Sequence, residues 1–403
     1  MKVGRREFTR TLAIGAAFGA EKTYDVAVVG AGVFGAWTAY FLQRAGKAVV
    51  LLDAFGAANS RASSGGESRI IRMGYGPDEI YTRWSMRSLT LWVDFFSRTS
   101  SALFHRTGVL WMAREGDANA IQTRQMLGKC GVRFETLDEA ALRDRYPQVR
   151  FAPKMWGILE PDSGALMARR AVQSVVEQAV LAGATYLQEA VVPPAGKGRL
   201  EAATTKPGGR IRAGVFVFAC GPWLPKVFPQ VLGKRIFPTR QEVFFLGLPA
   251  GDRRFAPPAL PAWIDFSDER GVYGFPDLEN RGFKIALDQH GPAFDPDSGN
   301  RVVRPEGLAE VRRYLGTRFP DLRDAPLVES RVCQYENTSS GDFLIDLHPE
   351  LDNVWLVGGG SGHGFKHGPA LGEYVAERIL KGGPVERRFS LATKAEVQKR
   401  AVY

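Results

Sequence analysis

The segment Asp25-Val-Ala-Val-Val-Gly-Ala-Gly-Val-Phe-Gly35, followed by Asp53, restricts the fold more than any other feature of this chain. Val26–Val29 is an apolar run, the pattern of a parallel strand covered on both faces. Gly30, Gly32 and Gly35 follow at G-x-G-x-x-G spacing. The first glycine permits a tight turn, the second lets backbone approach a pyrophosphate, and the third lets the next helix pack closely on the strand. A helix over Val33–Ala45 then aims its N-terminal N–H groups at the phosphates, which makes Val33 and Phe34 cofactor-binding positions with the glycines. Gly46-Lys47 ends that helix, and a second strand over Ala48–Leu52 delivers Asp53 to its C-terminal end. Asp53 lies at the distance from Gly30, roughly 20 positions, expected of a ribose-binding carboxylate. Glycines alone would also suit a tight strand-to-helix turn in some other α/β protein. Strand, glycines, helix, strand and acid in register point to a bound dinucleotide.

The other elements fall into two kinds. Leu166–Ala182 reads as an amphipathic helix with Val172, Val175, Val176, Ala179 and Val180 on one face and Gly183 as its stop. Thr185–Leu187 and Val215–Ala219 read as short buried strands that return to the nucleotide-binding sheet. Gly108–Ala113, Gly157–Glu160, Arg240–Leu248, Gly271–Phe275 and Gly282–Leu287 are short strands separated by turn residues, the pattern of a mainly antiparallel second sheet. Val354–Val357 is another buried strand, and the helix Pro369–Leu380 follows it. Between them lies the glycine-rich loop Gly358–Lys366, suited to the far part of a large ligand. The fold class is therefore α/β: a Rossmann-like dinucleotide-binding domain interleaved with a mainly antiparallel β-sheet substrate domain. Residues 21–103, 160–232 and 330–395 are assigned to the first, and 104–159 and 233–329 to the second.

The length, 403 residues with 45% hydrophobic, suffices for two joined domains with sizeable cores. The net charge of +10 comes from scattered bases without a basic run, which excludes nucleic acid as the expected partner. The three cysteines, Cys130, Cys220 and Cys333, are far apart and show neither a disulfide framework nor metal-ligand spacing, so no metal is expected. At the start, Arg5-Arg6-Glu7-Phe8-Thr9-Arg10 and an apolar run from Leu12 to Ala20 resemble a twin-arginine export signal. That run is shorter than the about 20 residues a membrane span needs, so no integral span is expected. Residues 1–20 are read as this signal, which predicts a periplasmic protein. The alternative is a disordered basic terminus on a cytoplasmic one.

With those residues in view, the chain resembles the monomeric sarcosine oxidase family, which includes N-methyltryptophan and pipecolate oxidases within the glycine/D-amino acid oxidase group. The likeness covers about Tyr24 to Leu391. It is carried by the nucleotide fingerprint through Asp53-Ala54-Phe55, and by Glu67-Ser68-Arg69-Ile70-Ile71-Arg72 with Tyr75. It continues in Glu160-Pro161-Asp162-Ser163-Gly164, in Cys333-Gln334-Tyr335 with the Asp342–Pro349 run, and in Ser361-Gly362-His363-Gly364-Phe365-Lys366.

The resemblance implies FAD held by Gly30, Gly32, Val33, Phe34, Gly35, Asp53, Ser68, Arg69, Gly360, Gly362, His363, Gly364, Phe365 and Lys366. It also implies covalent attachment of the flavin through Cys333; a cysteine taken alone is most often a small buried apolar residue. Arg72 and Lys366 match the basic pair that holds the substrate carboxylate, a guanidinium clamp beside a point charge. Arg69 matches a cation beside the flavin ring, Lys284 the lysine that activates oxygen, and Tyr273 and Tyr335 the tyrosines lining the amine site. Two positions depart from the family: Ser64-Gly65 replaces a His-His pair, and Asp288 replaces a histidine that follows Lys284 by four positions. Gly65 is expected to leave space and Asp288 to add negative charge, which favours a bulkier or cationic secondary amino acid over sarcosine.

The function implied is FAD-dependent oxidation of an amino-acid C–N bond to an imine, with dioxygen as acceptor, hydrogen peroxide as product and a monomeric protein. A dehydrogenase passing electrons to a quinone or protein acceptor is an alternative, as is a flavin-binding protein without turnover.

Overall fold

The computed structural model describes residues 23–398, so the export motif at Arg5–Ala20 lies outside the described residues. The apolar run forms strand β1 (Thr23–Val29), followed by helix α1 (Val33–Arg44) and strand β2 (Val49–Leu52). β1 sits inside a seven-stranded sheet, pairing parallel with β2 on one side and with the strand Arg210–Phe218 on the other. Val354–Gly358 adds parallel to Arg210–Phe218, and Thr185–Leu187 adds parallel to β2. Leu344–Leu347 and Ala202–Thr204 join antiparallel. β2 and Val354–Gly358 are buried along their length, and β1 and Arg210–Phe218 are buried toward their C-terminal ends, as a parallel sheet covered on both faces requires. Helix α1, the helix Ala168–Leu181 and the helix Gly368–Lys381 pack on one face through Trp37, Val172, Val176, Leu371 and Val375.

The second sheet has eight strands in the order Leu327–Asn337, Phe237–Leu246, Phe283–Leu287, Val272–Phe275, Ala262–Asp265, Val109–Arg114, Met155–Glu160 and Glu135–Leu137. All its pairs are antiparallel except Ala262–Asp265 with Val109–Arg114. A three-stranded sheet, Arg69–Ile71, Gly164–Leu166 and Phe104–His105, lies between the two large ones in sequence.

Two expectations need correction. The helix expected from Leu166 begins at Ala168, because Gly164–Leu166 pairs with Arg69–Ile71 and Phe104–His105 before the chain turns. Tertiary pairing here overrides a continuous helical pattern. The boundary expected at residue 330 falls inside the strand Leu327–Asn337, which pairs with Phe237–Leu246 along its length. Cys333 and Tyr335 therefore belong to the second sheet, and the chain returns to the first only afterwards, at Leu344. Among the described residues no helix is long and apolar enough to cross a membrane.

Candidate active site

A cavity of about 510 Å³ begins at the β1–α1 turn and ends at the second sheet. Gly30, Gly32, Val33 and Asp53 line it at the turn, Arg69, Cys333 and Tyr335 line it at the second sheet, and Gly360, Gly362, Gly364 and Phe365 complete the lining, with Phe34 against Gly360 and Gly364. The turn is built as the spacing requires. Gly30 has φ +107°, and a Cβ there would stand 2.3 Å from the Ala219 carbonyl oxygen. A Cβ on Gly35 would meet the Gly30 carbonyl oxygen at 1.9 Å, so Gly35 serves close helix packing and does not line the cavity.

Asp53 accepts from the Ala31 N–H through Oδ2 at 2.8 Å and from the Phe55 N–H through Oδ1 at 2.9 Å. It thus braces the turn it was expected to serve at the ribose, while burial raises its pKa from the ordinary aspartate value. Ser64 Oγ accepts from the Val33 N–H at 3.0 Å, capping the first turn of α1 from a distant loop. That cap has no local sequence signature.

At the far end, Arg69 organises the site. Its Nη2 donates to the Ser63 carbonyl at 2.8 Å and lies 3.3 Å from Cys333 Sγ, and its Nη1 donates to the Ser68 carbonyl at 2.9 Å. Two smaller cavities open here. One, of about 80 Å³, is lined by Arg69, Arg72, Tyr273, Asp288, Cys333, Tyr335, His363 and Lys366 among others. The other, of about 20 Å³, is lined by Arg69, Glu67, Lys284, Arg331 and Cys333 among others. All three cavities meet at Arg69 and Cys333.

In the 80 Å³ cavity, the Arg72 guanidinium is held between the rings of Tyr75 and Trp111, 4.4 and 4.7 Å from their centroids, and donates to the Gly74 carbonyl. Buried Glu160 fixes this loop. Its carboxylate accepts from the N–H groups of Met73 (2.7 Å) and Gly74 (3.0 Å), from Trp111 Nε1 (2.8 Å) and from Ser163 Oγ (2.6 Å). Lys366 Nζ donates to Tyr75 Oη at 2.6 Å and to the His363 carbonyl at 3.0 Å. Burial, and then the nearby Arg72 charge, hold the Lys366 ammonium well below the ordinary lysine range. Trp92, on the helix Glu79–Arg98, donates to the Lys366 carbonyl at 3.1 Å and so anchors the loop from behind.

Opposite this pair, Tyr335 Oη donates to Asp288 Oδ1 at 2.8 Å. Burial pushes the Tyr335 phenol well above its usual range, with Asp288 adding to the shift, and burial lifts Tyr273 to about 12. Both phenols stay protonated near neutrality. In the 20 Å³ cavity, Lys284 Nζ donates to the Ser68 carbonyl at 2.8 Å and to Ser68 Oγ at 3.1 Å. Burial, then repulsion from Arg69, push its pKa well below the lysine range.

The expected cofactor residues therefore divide. Ser68 serves Lys284, while His363 and Lys366 line the 80 Å³ cavity and not the large one. The His363 ring contacts Tyr75 Oη through Nδ1 (3.2 Å) and the Gly341 carbonyl through Nε2 (2.9 Å). The space expected from Gly65 does not exist. A Cβ there would lie 2.0 Å from the Asn59 carbonyl oxygen, so neighbouring backbone has filled the volume and Gly65 lines none of the three cavities. Asp288 does place a carboxylate in the 80 Å³ cavity. Glu160, Trp92 and Ser64 were not singled out by the sequence reading as site residues. Glu160 carried a signal, its place in the Glu160–Gly164 motif. Among the described residues no cluster could hold a metal ion.

A parallel nucleotide-binding sheet with an elongated cavity at its strand ends, closed by an antiparallel sheet that brings in Cys333, Lys284 and Tyr335, defines a two-domain, dinucleotide-dependent redox enzyme. The chain belongs to the FAD dependent oxidoreductase family, whose sequence profile matches residues 25–378. It is 31% identical over 366 residues to the monomeric sarcosine oxidase of Bacillus sp. (strain NS-129), covering 89% of this chain and 93% of that one. It is 28% identical over 358 residues to the N-methyl-L-tryptophan oxidase of Citrobacter koseri, covering 88% and 94%.

Two solved structures share the fold. L-proline dehydrogenase from P. horikoshii has a TM-score of 0.80 at 20% identity, covering 92% of this chain and 97% of that one. NikD, an amino acid oxidase of nikkomycin biosynthesis, has a TM-score of 0.73 at 24% identity, covering 91% and 96%. FAD suits the residues present. The Gly30–Gly35 turn and the α1 N-terminus are built for a diphosphate, and the same cavity continues from them to the Arg69 guanidinium, with room for a large ligand.

Proposed function

We propose that the protein oxidises the C–N bond of an amino acid with a free carboxylate, of secondary or N-methyl type, and passes the electrons to dioxygen with release of hydrogen peroxide. The observation that carries this reading is the meeting of three cavities at Arg69 and Cys333: one that reaches the glycine turn, one with a buried cationic pair, and one with a buried lysine. The names of the similar enzymes, sarcosine and N-methyl-L-tryptophan oxidases, point to the same substrate class. FAD, when bound, supplies the acceptor for the hydride equivalent removed from the carbon beside nitrogen.

The protein's own share is placement and charge. Arg72 is preorganised by its two aromatic neighbours and by Glu160, so little side-chain freedom is lost when it clamps a carboxylate. Lys366 adds a point charge from the adjoining loop. Tyr335, Tyr273 and Asp288 line the same cavity and are assigned to the amine end, where protonated phenols and one carboxylate orient the nitrogen. Asp288 keeps a cationic side group on the substrate favourable; the loss of free space at Gly65 leaves no support from that position for a bulky one. Lys284, on a separate cavity beside Arg69, is assigned to charge stabilisation as oxygen is reduced. Cys333 Sγ, at the meeting point, is assigned to covalent attachment of the flavin.

The test is peroxide release by the purified yellow protein across primary, cyclic and N-methyl amino acids and the matching amines without a carboxylate. Carboxylate-bearing secondary amines should dominate. Slow turnover in air that a quinone accelerates would overturn dioxygen as the acceptor, and equal activity on amines lacking the acid would overturn the clamp.

A further inference from the structure

Glu336 is a buried carboxylic acid in the wall of the large cavity. Its Oε1 accepts from the Gly360 N–H at 3.2 Å. Its Oε2 is buried and has no hydrogen-bond partner among the described residues. Glycines surround the group: a Cβ would stand 3.5 Å from Oε2 at Gly221, 3.4 Å from it at Gly358, and 3.2 Å from Oε1 at Gly360. Burial lifts its pKa to about 7, with the Gly360 and Gly359 amides pulling the other way. An orphaned buried carboxyl oxygen is costly, and more than nine in ten buried polar groups in folded proteins are satisfied, so this oxygen calls for a partner.

Its place along the cavity narrows the choice. The β1–α1 turn, where a diphosphate would lie, packs against Ala219, and Gly221 follows two residues later. Cys333 and Arg69, assigned to the flavin end, line the same cavity as Glu336, and Cys333 is only three residues away on its strand. Glu336 thus falls between the two ends, and in FAD the group between diphosphate and flavin ring is a polyol chain. A carboxylate opposite a phosphate is repelled, whereas a hydroxyl donates to it.

We propose that Glu336 Oε2 accepts a hydrogen bond from a hydroxyl of the polyol linker of FAD and so fixes the cofactor between its two anchored ends. This rests on FAD filling the large cavity and is independent of which amine is oxidised.

The experiment uses the full chain with Cys333→Ala, so that flavin remains exchangeable, and titrates FAD, riboflavin (polyol without phosphate) and ADP (diphosphate without polyol). Adding Glu336→Met should weaken FAD and riboflavin together by roughly 10- to 100-fold, the size of one hydrogen bond to a charged group, and leave ADP unchanged. The melting temperature of the cofactor-free protein should hold or rise, because an orphaned oxygen has been removed. Glu336→Gln, equal in size, serves the same comparison if the methionine variant does not fold.

Loss of ADP affinity to the same degree would place Glu336 at the diphosphate and overturn the proposal, as would unchanged affinity for all three ligands. A drop in stability of the cofactor-free protein with no loss of riboflavin binding would assign a structural role instead. A Cys333→Ala parent that takes up no FAD would overturn the cofactor assignment itself, and this proposal with it.

Discussion

Glu160→Gln tests whether the Arg72 clamp is set by the buried carboxylate behind it. Glu160 Oε1 accepts from Gly74 N–H and Trp111 Nε1–H, and Oε2 accepts from Met73 N–H and Ser163 Oγ–H. A glutamine does best by keeping its oxygen at the Oε1 position. Its NH₂ then faces Ser163, whose hydroxyl can turn to accept, and Met73, whose N–H cannot. One buried backbone N–H is orphaned, at about 1–3 kcal/mol, and the two surviving bonds lose their charge assistance. The expected loss of stability is about 2–4 kcal/mol, read as a lower urea midpoint at unchanged slope. Met73 directly follows Arg72, so the guanidinium should lose its fixed place between Tyr75 and Trp111. KM for a carboxylate substrate should rise at least tenfold, while reoxidation of the reduced enzyme by air keeps its rate. An unchanged urea midpoint together with an unchanged KM would refute the view that Glu160 positions Arg72.

Lys284→Met should leave anaerobic flavin reduction by substrate within about tenfold, roughly 1.4 kcal/mol of barrier, and slow reoxidation far more. Stopped-flow traces of both half-reactions decide, and equal slowing would move Lys284 to substrate placement. Acid-precipitated protein should stay yellow, and Cys333→Ala should release its FAD under the same treatment; a colourless wild-type precipitate would dismiss the covalent link. Because burial and then Arg72 lower the Lys366 pKa, its charged form is lost, as pH rises, below the ordinary lysine range. Inhibition by a simple carboxylate should therefore weaken with rising pH in the wild type and flatten in Lys366→Met. Arg5→Lys with Arg6→Lys should block export while preserving charge, since twin-arginine recognition reads paired guanidinium groups; unchanged periplasmic yield would rule that route out.

The parts of this protein that depend on short-range geometry were legible in residue order alone. Gly30, Gly32 and Gly35 impose a turn only a few residues long, so spacing was enough to place β1, α1, β2 and Asp53. Short runs between turn residues likewise marked five of the eight strands of the second sheet and missed Glu135–Leu137, Ala262–Asp265 and Leu327–Asn337. The matching motifs singled out Arg72, Lys284, Cys333 and Lys366, which line the two smaller cavities.

Long-range pairing lay beyond that reading. Leu166 joined a strand because Arg69–Ile71 and Phe104–His105 offered backbone partners from elsewhere in the chain. Leu327–Asn337 joined the second sheet through Phe237–Leu246. The volume expected at Gly65 was taken by the Asn59 backbone, a neighbour whose approach no residue type announces. Glu160, Trp92, Ser64 and Glu336 act on groups far away in sequence, and side-chain identity does not say which atoms will surround it. Local spacing settles what a segment can form, whereas burial and partner choice are set only when distant segments pack, because desolvation and hydrogen-bond satisfaction belong to the assembled site.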